Sequence, residues 1–114
     1  MPVTVQPFSI NICQEVLDDL RDRLRRTRWP GEVPGSGWNR GVDLDYMKEL
    51  VEYWLDEYDW REQEARLNEL PHFKADIDGL GVHFIHVKGK GPNPLPLFMM
   101  HGYPCSLRSA AERH

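Results

Sequence analysis

The residues best suited to chemistry stand near the end of the chain, in LPLFMMHGYP at 95–104. A run that is apolar on both faces suits a buried strand of a parallel sheet. A His-Gly turn directly after it places backbone N–H groups at the carboxyl end of the sheet, where open α/β sheets bind ligands. Gly102 allows close backbone approach, Pro104 removes one donor and stiffens the turn, and His101 shapes its start. The backbone N–H of Tyr103 is then left to face a developing oxyanion, the preorganised donor that acyl and ester chemistry needs. The same residues also suit an ordinary strand-to-helix turn.

A nucleophile is harder to find. The strand-to-helix elbow that presents one reads G-x-S-x-G, or G-x-D-x-G for an aspartate, and neither pattern occurs. DIDGLG is the nearest approach, and it lies between two strands instead of before a helix. Cys105 and Ser106 follow the turn, but spacing places no histidine to activate either of them. His83 and His86 are three apart on an expected strand, point to opposite faces, and cannot share a metal directly. His72 and His101 receive no proton-transfer role, and the acidic residues sit mostly on polar helix faces. No cofactor or metal is implied.

These residues need elements to position them. Asn11 is placed to cap a helix over about 12–27, with Val16, Leu17, Leu20 and Leu24 along one stripe. Asp19 precedes Arg23 by four residues, and Asp22 likewise precedes Arg26, so the arginine-rich face pairs with itself. The loop RWPGEVPGSGWNRG follows, and its Trp29 and Trp38 are expected to bury their rings. Asp43 caps a second helix whose Met47, Leu50, Val51, Trp54, Leu55 and Tyr58 recur at helical spacing. Asp59 and Glu62 form a capping box for a third helix over 60–70, which Pro71 ends. The period then changes: FKADI, an Asp78-Gly79 turn and VHFIHV read as a hairpin, and LPLFMM as a further strand. Helices come first and strands last, giving a helical region 1–71 and the start of a sheet core over 72–114.

Composition narrows the partners. With 114 residues, 40% hydrophobic and 28% charged, the chain reads as one modest globular unit. A net charge of -4 argues against nucleic acid, and no run of about 18 apolar residues exists to cross a membrane. The start MPVTVQPFSI lacks the pattern of a signal peptide, and Cys13 and Cys105 show no ligand spacing, so a reducing cytoplasmic setting is expected.

In combination the motifs resemble a known family. RLRRTRWP, GEVPGSGWNRGVDLDYMKELVEYW, DWREQEARLNELPHFKADIDGLGVHFIHVK and HGYP, in that order, are similar to the N-terminal region of microsomal-type epoxide hydrolases, over residues 7–104. The resemblance implies an α/β fold: a helical N-terminal wrap followed by the first strands of an α/β-hydrolase sheet, with the core incomplete. It implies opening of epoxides to vicinal diols without a cofactor, through an aspartate nucleophile, a histidine base with an acidic partner, and lid tyrosines. Of these groups only the HGxP loop is present, so only the oxyanion role carries over, to the Tyr103 backbone, with His101, Gly102 and Pro104 shaping the loop. The membrane anchor of some relatives is expected to be absent, which favours a soluble form. Cys105 departs from the family, which places glycine after HGxP. The chain is therefore expected to be inactive alone and to associate with itself or with a C-terminal complement, meeting an epoxide only if completed. A stand-alone interaction module and a small esterase using Ser106 are the competing readings.

Overall fold

A computed structural model describes residues 3–106. The chain divides into two compact units, Asn11–Trp60 and the residues on either side of that segment.

The first unit is built from α1 (Gln14–Arg25), a 3₁₀ turn (Gly37–Arg40) and α2 (Leu44–Asp56). Asp43 caps α2 as expected, its carboxylate accepting from the Tyr46 N–H at 3.0 Å. Asn11 does not cap α1; that helix begins at Gln14, its N-cap is Cys13, and no side chain bonds there. On the polar face Asp19 pairs with Arg23 at 3.7 Å, while Asp22 takes Arg25 at 3.1 Å. Arg26 instead donates its Nε–H to the Asp22 carbonyl. These pairs are exposed and contribute little to stability. The apolar stripes converge on a cavity of about 540 Å³ lined by Leu17, Leu20, Leu24, Leu50, Trp54 and Tyr58 among others. The tryptophans of the loop are less covered than their size suggested. Trp38 remains 61% exposed, with its ring 5.1 Å from that of Tyr46, and Trp29 is also exposed. A ring that packs on one neighbour loses only part of its accessible surface.

The second unit holds a three-stranded antiparallel sheet in the order β1 (Thr4–Phe8), β2 (His72–Ile77), β3 (Leu80–Ile85). The hairpin forms at the expected turn, where Asp78 and Gly79 both take positive φ, 52° and 82°. That is the conformation a two-residue hairpin loop demands. β1 was not expected, because TVQPF contains a proline and lies before the helices. It forms as an edge strand, where a missing N–H is tolerated, with Phe8 opposite His72 and Thr4 opposite Asp76. Strands therefore come both before and after the helices. On one sheet face Phe73 stacks on Phe84 at 5.7 Å, beside Ala75, the one buried apolar residue among those described.

The helix α3 (Trp60–Leu67) leads into β2. Arg61 pairs with the buried Glu64 at 2.8 Å. Just beyond the helix, the Asn68 amide accepts from the Ile10 N–H at 2.9 Å and donates to the Ile10 carbonyl at 2.8 Å. The side chain thus copies a backbone pairing and holds the exit of β1.

Residues 95–100 form no strand, contrary to the expectation from LPLFMM. Leu95 is 92% and Phe98 87% exposed, and Leu97 and Met100 are also open. A strand exists only through hydrogen bonds to a neighbour, and among the described residues no strand of the sheet pairs with this segment.

Candidate active-site loop

Gly102 to Cys105 make a tight turn, closed by the Cys105 N–H donating to the Gly102 carbonyl at 2.7 Å. The Tyr103–Pro104 peptide is cis, and Tyr103 is fully exposed. His101 engages the same carbonyl through its ring, Nδ1 lying 3.3 Å from the Gly102 oxygen. A carbonyl only accepts, so that nitrogen carries the proton. Among the described residues no group accepts from the Tyr103 N–H, so the turn leaves open the donor to which an oxyanion role was assigned.

The turn borders a cavity of about 400 Å³, lined by His101, Cys105 and Ser106 together with Ile10, Leu67, His72, His83 and Ile85. Sequence reasoning missed this gathering of histidines. It did place His83 and His86 on opposite faces: His83 stands beside Phe8, its ring 4.9 Å away and edge-on, whereas His86 lies 6.4 Å from Phe73. The overlooked partner was His72, which strand register puts two pairs along from His83, on the same face. His72 is only 4% exposed.

The geometry settles how the two rings share protons. His72 Nε2 lies 2.6 Å from the Leu67 carbonyl and must donate to it. Its Nδ1 therefore holds a lone pair while the ring is neutral, and His83 Nε2, 3.0 Å away, donates to that lone pair. Both nitrogens of His72 are engaged, so this ring is not free to activate a nucleophile. Burial is the largest influence on His83 and lowers its pKa below 6.5; the nearby His72 and Lys74 push in the same direction. Lys74 sits directly across the strand pair from His83, with its ammonium 4.2 Å from the centre of the Phe8 ring.

Other chemistry finds less support. Among the described residues, no three His, Cys, Asp or Glu side chains are grouped to hold a metal ion. Cys13 and Cys105 are free and exposed. No described helix is long and apolar enough to cross a membrane.

The chain as a whole is similar to known proteins. Residues 5–110 match the family described as epoxide hydrolase N terminus. Juvenile hormone epoxide hydrolase 1 of Ctenocephalides felis is 38% identical over 107 residues, covering 91% of this chain and 23% of its own length. Epoxide hydrolase 1 of Oryctolagus cuniculus is 39% identical over 107 residues, covering 90% of this chain and 24% of its own. The crystal structure of juvenile hormone epoxide hydrolase from the silkworm Bombyx mori superimposes with a TM-score of 0.85 at 30% identity. That match covers 97% of this chain and 30% of the silkworm chain. The chain thus spans about a quarter of the length of the curated relatives it matches. Its fold is the helical region and first strands of an α/β-hydrolase, a partial domain. From the match over nearly its whole length, the chain belongs to the epoxide hydrolase N-terminal family.

Proposed function

We propose that this chain is the N-terminal portion of an enzyme that adds water to epoxides, and that by itself it does not turn over. The observation that carries the reading is the family match over residues 5–110, in a sequence with neither a G-x-D-x-G nor a G-x-S-x-G elbow. In the completed reaction a carboxylate attacks an epoxide carbon, the ring C–O bond breaks, and the oxygen leaves as an alkoxide that takes a proton. Activated water then adds to the resulting ester, and collapse of the tetrahedral oxyanion releases the diol and restores the carboxylate. The part of this chain is to present the Tyr103 N–H to that oxyanion, with His101, Gly102 and Pro104 holding the turn. Its exposure and lack of an acceptor among the described residues support the assignment.

Two further features suit this reading. The exposed apolar residues Leu95, Leu97, Phe98 and Met100 suit a segment that is completed by further chain or by a second copy. A reducing, cytoplasmic compartment suits the two free cysteines.

The test is epoxide turnover by the purified chain, alone and mixed with the remaining segment of one of the matched relatives. Turnover is expected only in the mixture. There, Tyr103→Pro, which deletes the N–H, should lower kcat by about 10²–10³-fold with little change in KM. Turnover by the chain alone that Ser106→Ala abolishes would overturn the proposal in favour of a small esterase.

A further inference from the structure

We propose that His101 is a positioning residue: its Nδ1–H and the Cys105 backbone N–H together fix the Gly102 carbonyl, and through that one peptide unit they aim the Tyr103 N–H. This rests on the oxyanion role proposed above for that N–H, and adds what holds it in place.

The geometry starts from a single amide plane. The Gly102 carbonyl and the Tyr103 N–H belong to the same peptide unit, which is trans. In a planar trans unit the C=O and N–H bonds point in opposite directions, so whatever fixes the carbonyl also fixes the donor on the other side. A carbonyl oxygen has two lone pairs and can take two donors. Two reach this one: the Cys105 N–H at 2.7 Å and His101 Nδ1 at 3.3 Å.

The two contacts act differently. The short bond from Cys105 closes the turn, yet alone it leaves the peptide free to swing about the O···H line. The donor on His101 comes from before the carbonyl in sequence, whereas Cys105 comes after it. Held from both sides, the plane loses that freedom. Two donors on the carbonyl also polarise the amide and strengthen the N–H it presents. Cys105 contributes only its backbone N–H to this contact, so its side chain takes no part.

Magnitude separates aiming from donating. His101 is exposed, so water competes for its Nδ1–H, and its share is that of one neutral hydrogen bond. Such a bond shifts an orientational equilibrium by roughly 2- to 12-fold. Deleting an oxyanion donor outright costs about 10²–10³-fold.

The experiment compares the 114-residue chain with His101→Leu, His101→Asn and His101→Gln. The Asn amide nitrogen stands where Nδ1 stands, one bond from Cγ, and that of Gln lies one bond farther. In ¹⁵N relaxation the Tyr103 amide should be near the rigid-backbone order parameter of about 0.85 in the parent and His101→Asn, and fall toward about 0.6 in His101→Leu and His101→Gln. Imidazole ¹⁵N NMR of the neutral ring should place the His101 proton on Nδ1. In the mixture with the relative's remaining segment, His101→Leu should lower kcat by roughly 2- to 12-fold with KM unchanged, and His101→Asn should restore it. On a Tyr103→Pro background His101→Leu should cost nothing further, because no N–H is left to aim. A merely structural histidine would cost the same on both backgrounds. An unchanged Tyr103 order parameter in His101→Leu overturns the proposal, as does a neutral ring protonated on Nε2 or full additivity with Tyr103→Pro. If the mixture does not turn over, or Tyr103→Pro leaves kcat unchanged, the oxyanion reading itself fails, and the NMR comparison alone decides whether His101 fixes this peptide.

Discussion

Removal of the Asn68 side chain tests whether one amide holds β1 to the rest of its unit. Asn68 and Ile10 lie 58 residues apart, and the amide satisfies both backbone groups of Ile10. Each such hydrogen bond is worth about 0.5–1.5 kcal/mol net, and a buried group left unpaired costs about 1–3 kcal/mol. Ile10 is half-buried, so water recovers part of that loss, and Asn68→Ala is expected to cost about 1–2 kcal/mol. Asn68→Asp separates the two bonds. One carboxylate oxygen still accepts from the Ile10 N–H, but the other now faces the Ile10 carbonyl and repels it. At pH 7 this variant should be at least as unstable as the alanine variant. The protonated carboxyl can donate to that carbonyl, so the folded state favours it and raises its pKa above the usual value of about 3.9. The deficit of Asn68→Asp relative to the parent should therefore shrink as pH falls through that raised value, while that of Asn68→Ala stays constant. Urea unfolding followed by far-UV circular dichroism measures both. A cost for Asn68→Ala below about 0.5 kcal/mol, the range of ordinary surface substitutions, would refute the reasoning.

Asp43→Ala should cost about 0.5–2 kcal/mol through loss of the α2 cap, with Asp43→Ser close to the parent, as read by thermal unfolding. Gly79→Ala should cost about 1–2 kcal/mol from its positive φ alone, because an added Cβ meets nothing within 4 Å; urea unfolding of the sheet unit checks it. The exposed segment carrying Leu95, Leu97, Phe98 and Met100 should drive association, so the intact chain should sediment faster with concentration and a version ending at Gly91 should not. If both remain monomeric, that segment does not join copies.

Elements whose signals are local were legible in the sequence. The Asp43 cap and helical spacing of α2 need only neighbouring residues, and the left-handed Asp78-Gly79 turn needs only its two strands. The turn at HGYP was legible because it is a local backbone feature, written in four consecutive residues. Asn11 has the residue type of a cap, but a capping residue acts only where a helix begins, and α1 begins at Gln14 with Cys13 at its N-cap. What the tertiary structure alone decided was which distant residues meet. β1 became a strand because β2 offered it an edge, not because TVQPF has a strand pattern of its own. LPLFMM has the pattern of a buried strand, yet among the described residues it has no strand to pair with. Strand register set His83 beside His72, and the Leu67 carbonyl then chose the tautomer. Periodicity, caps and turns act within a few residues, whereas hydrogen-bond partners and burial are properties of surfaces that exist only once the chain has folded.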